Sequence, residues 1–263
     1  MLRISTARRT RHTVIVVAVI GLLLLAGCAQ LVADSIEALL RQGIELFTAG
    51  KYDEAIAKFL EVIRRDPKSW TAYLYMARSY IAKTSWGDAI VSSRKALELA
   101  PTAGDVIPVL AEALLGAGTD ALARRQFSEA IGHFGEYLKL RPADARGYLQ
   151  LGRAFLSAGR YGDALRTILQ GLAQAPDATT RTQLLRGLLD GGSQALSAGD
   201  AKAAIGLLQE YVRHDPRDVS AYVALGKAYW QDGNLGSALV AFQRVLELNP
   251  NNAEALQFLR RGR

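Results

Sequence analysis

Few residues in this chain could carry covalent or metal chemistry. Among 263 residues there is one cysteine, Cys28, and there are three histidines, His12, His133 and His214. A lone thiol excludes a disulfide framework and a thiolate zinc site. The histidines lie far apart, and no Cys or His pair has metal-ligand spacing. The sequence contains no phosphate loop and no Gly-x-Ser-x-Gly elbow. Acidic neighbours such as Asp53 and Glu54 fall at a turn, where water solvates them. No catalytic, cofactor or metal residue is assigned, and neither an enzymatic reaction nor a small-molecule substrate is expected. What remains is Cys28, whose chemistry depends on the residues before it.

Residues 3–12 are basic and polar, with Arg3, Arg8, Arg9 and Arg11 and no acid. The apolar run Thr13 to Ala26 follows, shorter than the roughly 20 residues of a membrane span. It ends in Leu25-Ala26-Gly27-Cys28. This resembles the bacterial lipoprotein signal, whose lipobox closes on an invariant cysteine. The resemblance implies that the Cys28 thiol takes a diacylglyceryl group, that residues 1–27 are cut away, and that the new amine is acylated. More than one acyl chain makes membrane anchoring stable. Ala29 in place of Asp implies the outer membrane of a Gram-negative cell, with the protein facing the periplasm. Residues 28–34 are then a short linker, and about six residues reach at most ~20 Å. The Arg8-Arg9 pair is a poor twin-arginine match, because Thr10, Arg11 and His12 follow it. The four leader arginines also account for much of the formal charge, which falls from +7 to +3 without them. The other basic residues are scattered, so no nucleic-acid partner is expected.

The elements that follow repeat. Six of the seven prolines, Pro67, Pro101, Pro142, Pro176, Pro216 and Pro250, are spaced 34, 41, 34, 40 and 34 residues apart. Twelve residues before each is an alanine: Ala55, Ala89, Ala130, Ala164, Ala204 and Ala238. Twelve before those is another small residue: Gly43, Ala77, Gly118, Gly152, Gly192 and Gly226. Bulky Phe59, Phe134, Ile168, Leu208 and Phe242 stand four residues after the alanine, with Ser93 as the exception. Small residues suit two helices that approach closely, and proline suits a helix that must stop. Gly50, Gly159, Gly199 and Gly233 mark turns between helices.

This pattern resembles the tetratricopeptide repeat, a 34-residue helix-turn-helix unit. The units read 36–69, 70–103, 111–144, 145–178, 185–218 and 219–252. The resemblance implies an all-α, right-handed α-solenoid of six such units, with 253–263 as a C-terminal capping helix. The units alternate in two sequence types, giving three two-unit blocks. The extra residues 104–110 and 179–184 read as N-terminal extensions of two first helices, with Asp105 as an N-cap and Pro108 tolerated in the first turn.

In such repeats the first helices line a concave face. One helix stripe holds Leu40, Leu74, Leu115 and Leu149 at the fifth place of a unit, and Phe47, Ile81, Leu156 and Trp230 at the twelfth. Between them, Arg78, Arg153 and Lys227 put a cation at the ninth place of every even unit. Such a groove suits an amphipathic helix or an extended peptide carrying acidic residues. A carboxylate clamp with paired Lys and Asn is excluded, because the fifth places are aliphatic and no ninth place is Asn. The expected function is a membrane-anchored protein–protein interaction scaffold for an envelope complex. The architecture resembles the type IV pilus pilotins, lipoproteins of six such units that help a secretin assemble. The alternative is an adaptor or regulator of periplasmic cell-wall enzymes.

Overall fold

The structure, a computed structural model, describes residues 35–175 and 177–261; Cys28, its leader and Pro176 lie outside them. The described residues form thirteen α-helices and no strand. They run α1 (35–48), α2 (Tyr52–Arg65), α3 (Trp70–Ala82), α4 (Trp86–Leu99), α5 (Val106–Ala123), α6 (Phe127–Leu140), α7 (Ala145–Ser157), α8 (Tyr161–Gln174), α9 (Ala178–Ser197), α10 (Ala201–His214), α11 (Val219–Gln231), α12 (Leu235–Leu248) and α13 (Ala253–Arg261).

Each helix-turn-helix pair follows from three sequence positions. The turn needs a left-handed residue, and Gly50, Gly159, Gly199 and Gly233 adopt φ of +70 to +84° there. Thr84 and Arg125 hold the same place in their units at φ 56° and 63°. Prolines stop the second helices. α2, α4, α6, α10 and α12 each end two residues before Pro67, Pro101, Pro142, Pro216 and Pro250. The residue before each proline is extended, with φ between −127 and −143°, as the proline ring demands. The third position is the small residue of the first helix. A Cβ on Gly43, Gly118 or Gly226 would lie 2.5–2.8 Å from the ring of Phe59, Phe134 or Phe242, and one on Gly192 would lie 2.5 Å from Leu208. The missing side chain is thus the space the opposing one fills. Where the bulky residue is Ser93, the small partner is Ala77, and both are fully buried.

The chain divides into two compact units, 1–110 and 111–263. In the first, Phe59, Val62, Ala72 and Met76 form a core with Leu39, Ile44 and Phe47. A second cluster joins Leu74, Ala77 and Ala96 to Val106 and Val109, at the start of α5. In the second unit a long core runs through Leu149, Ile168, Leu184, Leu188, Leu207, Leu208 and Leu225. Phe134 with Ala154, and Phe242 with Val245 and Ala255, complete it. Burying each such side chain fully contributes about 1.5–3 kcal/mol.

The two long first helices carry the expected N-terminal extensions. α9 begins at Ala178, capped by the Asp177 carboxylate on the Thr180 amide at 2.8 Å. α5 begins at Val106, which puts Asp105, in a turn with Gly104, at the N-cap place. The Val106 amide donates back to the Ala103 carbonyl at 3.2 Å. α5 is apolar enough to suggest a membrane span by composition, yet half of it is buried against its neighbours.

Candidate partner-binding groove

Within the second unit α9 packs against both α7 and α11, so these first helices share a face. At their C-terminal ends, an open groove of about 980 Å³ crosses α5, α7 and α9. Its apolar side is Leu122, Phe127, Leu156 and Tyr161. Its polar side is Ser193, Gln194 and Ser197 on α9. The Ser193 and Ser197 hydroxyls donate to the Leu189 and Ser193 carbonyls at 3.0 and 2.9 Å. Their oxygens therefore face the groove chiefly as acceptors, and the exposed Gln194 amide adds donors.

The only charged side chain lining this groove is Arg125. It occupies the turn position that is glycine in four units, at φ 63°. It is exposed and has no ion-pair partner among the described residues. Arg153, one stretch back along α7, is likewise exposed without an ion pair among them. Arg124 and Arg160 are engaged instead by Asp120 and Asp163. The groove thus offers an apolar floor, neutral hydrogen-bonding groups and a cation at its edge. It can hold an extended or helical segment.

The residues expected to line a groove fall into several environments. Leu74, Leu149 and Leu156 are 2, 5 and 7% exposed and are spent on packing. A Cβ on Gly191 of α9 would lie 2.5 Å from Leu156 Cδ2, so α9 closes directly over that leucine. Leu156 keeps only an edge on the groove floor. Leu40, Ile81 and Leu115 are half-buried against the core clusters. Phe47 packs on the Tyr52 and Tyr75 rings, each at 5.8 Å. The Arg78 guanidinium lies over the Tyr75 ring at 5.1 Å. Lys227 is ion-paired with Glu254 of α13, so its charge is neutralised within the chain. Trp230 is 38% exposed and meets Phe258 edge-on at 5.4 Å. Of the three regularly spaced cations, Arg153 alone is exposed without an ion pair among the described residues, one turn along α7 from the groove residues Leu156 and Ser157. Arg125 escaped the sequence reading because it is off the helix stripe. Its signal was the place itself, a non-glycine where four units have glycine.

Comparison with known proteins fits this geometry. Sequence profiles of the tetratricopeptide repeat match residues 40–104, 115–179 and 195–261. The PEX5-related protein of Mus musculus is 37% identical over 73 residues, which is 28% of this chain and 13% of that protein. Superkiller complex protein 3 of Mus musculus is 25% identical over 252 residues, which is 81% of this chain and 16% of that protein. The chain thus spans less than a fifth of the length of these curated relatives. Among solved structures, Naa15/Naa10 bound to HypK-THB is similar at TM-score 0.54 and 19% identity, covering 85% of this chain and 33% of that one. PilW, a type IV pilus biogenesis factor, is 19% identical at TM-score 0.39, covering 85% of this chain and 98% of that one. With profiles matched across about three quarters of its length, the chain belongs to the tetratricopeptide repeat family, a family of protein–protein interaction scaffolds.

Proposed function

We propose that this chain is an envelope adaptor, lipid-anchored through Cys28 and facing the periplasm, whose second unit holds an acidic segment of a partner protein across α5, α7 and α9. The observation that carries the reading is Arg125. A left-handed backbone costs an L-residue roughly 1–2 kcal/mol. Backbone strain of that kind clusters at functional sites. Here the strained residue is the one cation lining an otherwise neutral groove. The lipid anchor is supported by the Leu25-Ala26-Gly27-Cys28 sequence and the basic, apolar leader before it. The narrower assignment is assistance to a type IV pilus secretin. Its support is the pairing of a lipobox with a six-unit array.

The test is crosslinking in intact cells, capture of the acylated chain from detergent, and mass spectrometry of what comes with it. Wild type is compared with Arg125→Gly and Arg153→Glu. Loss of a charge-assisted contact of about 1.5–3 kcal/mol weakens a partner roughly 10- to 100-fold. A secretin subunit that depends on Arg125 supports the whole reading. A wall hydrolase or synthase that depends on Arg125 keeps the groove and replaces the pilus assignment. Recovery of the partner unchanged in both variants removes the groove.

A further inference from the structure

The second unit ends on an apolar face that its fold leaves uncovered. Of the large hydrophobic residues exposed among the described residues, Trp230, Leu235 and Leu239 line one cavity at this end, whereas Val240 opens on a different groove beside Arg213, Arg244 and Glu247. Patches of this kind mark contact surfaces. A cavity of about 520 Å³ opens between α12 and α13, with Phe242 and Phe258 among its lining residues. Those two rings stack at 4.4 Å. None of the residues lining this cavity is charged.

The repeat itself says what shape fills it. Leu165 of α8 stands at the place Leu239 holds in α12. A Cβ on Gly206 of α10 would lie 3.4 Å from Leu165, so the next unit's second helix comes down on that leucine. Leu239 has no such helix over it and is 46% exposed. α13 stands as a following first helix, its buried Ala255 in register with Ala221 of α11. The open cavity is the seat of a second helix that would come after it, and a helix is its natural occupant.

We propose that the occupant is α12 of a second copy of this chain, the two copies pairing through a two-fold axis at this face. Two observations select a second copy over a different protein. First, the face carries both halves of an isologous contact. The exposed Leu235 and Leu239 of α12 form the outer wall of the groove, which Phe258 and Leu259 of α13 close on its other side. Ridge-into-groove packing of one copy on the other fills both grooves at once. Second, the lining is neutral, so apposing identical faces brings no like charges together. The α5–α7–α9 groove, with Arg125, has the opposite character and suits a partner of complementary charge.

The experiment places the photocrosslinking residue benzoylphenylalanine at position 239 of the full-length chain in its own cell envelope, with position 91 as the control. The expected product is a species of twice the chain mass whose linked peptides both come from this chain, formed from 239 and not from 91. In density-matched detergent, sedimentation equilibrium of the full-length protein should report a dimer. The double substitution Leu235→Glu, Leu239→Glu should weaken it at least tenfold while circular dichroism and the melting temperature hold, both residues being exposed. Crosslinking of position 239 to another polypeptide, no crosslink at all, or a dimer as tight in the double variant each overturns the proposal.

Discussion

At the scale of the residue, this fold is a set of small-against-large exchanges. Gly118 has no side chain, and Phe134 fills the space with ring carbons 2.6–2.9 Å from where a Cβ would be. Gly118→Ala should therefore destabilise the second unit by about 1–3 kcal/mol through overpacking, less about 1 kcal/mol of helix propensity gained. Phe134→Ser should cost at least the ~3–5 kcal/mol of a Phe-to-Ala truncation. The chain already contains the compensated version, Ala77 with Ser93, whose hydroxyl donates to the Ala89 carbonyl at 2.7 Å. The double variant Gly118→Ala, Phe134→Ser should consequently be less damaging than the two single losses added, by about 0.5–3 kcal/mol in a denaturant cycle. Strict additivity would show that the two residues do not share one space. The turn position makes a second test. Thr84→Gly and Arg125→Gly should each stabilise by up to ~1 kcal/mol, the relief of roughly 1–2 kcal/mol of left-handed strain less the greater chain entropy of glycine. For Arg125→Gly the melting temperature and the partner affinity should move in opposite directions, which a purely structural role would not produce.

At the scale of the element, two helix joints, α6 to α7 and α10 to α11, are made through N-cap aspartates, and those joints respond to pH. Asp144 caps α7 by accepting from the Arg146 amide at 3.0 Å, while the Tyr137 hydroxyl of α6 donates to it at 2.5 Å. Asp218 and Tyr211 repeat the arrangement between α11 and α10 at 2.9 Å. The Arg146 side chain, more than any other group, pulls the Asp144 carboxyl down to about 2, against some opposition from burial. Burial, reinforced by the bond to its aspartate, pushes each of Tyr137 and Tyr211 up to about 12. The signs follow from linkage. An aspartate with a depressed folded pKa stabilises fully above its unfolded value, and that contribution fades as pH falls from about 4 towards 2. A tyrosine with a raised folded pKa stabilises fully below about 10, and its contribution fades as pH rises towards 12. The melting temperature should therefore drop at both ends, and Tyr137→Phe with Tyr211→Phe should flatten the alkaline limb specifically. The helix pairs themselves were legible from sequence, because Pro, Ala and Gly recur in phase, and each type has one physical reason to stand where it does. The stripe of fifth and twelfth places was less legible. Periodicity puts Leu149 and Leu156 on one face of α7, but it does not say that Gly191 lets α9 close over Leu156. Nor does periodicity tell a free cation from a paired one: Lys227 meets Glu254 some 27 residues away. Arg125 lay outside the helix pattern altogether.

At the scale of the whole molecule, a helical array and a proposed lipid anchor share one chain. The array needs no chemistry, since each helix pair is held by its neighbours alone. The proposed lipid anchor rests on a lone cysteine and the order of basic, apolar and small residues before it. Their combination sets where the array works. If Cys28 carries the acyl groups, α1, which begins at residue 35, starts within a few residues of the membrane surface. A chain of that length reaches only about 20 Å, so the first unit can engage a membrane-embedded partner but cannot search far from the bilayer. Cys28→Ser separates the anchor from the array. It removes the only thiol without touching any described helix, so circular dichroism and melting of the array should stay as in wild type. Labelled fatty acid should no longer enter the chain, and the uncut precursor should accumulate, about 27 residues longer than the mature form. Lengthening the linker instead, with ten Gly-Ser residues inserted after Gln30, should leave acylation intact and move the array away from the surface. A partner held in the membrane should then crosslink less, while a freely diffusing periplasmic partner should crosslink as before. Fatty-acid incorporation that persists in Cys28→Ser would detach the anchor from this residue and with it the short-reach geometry.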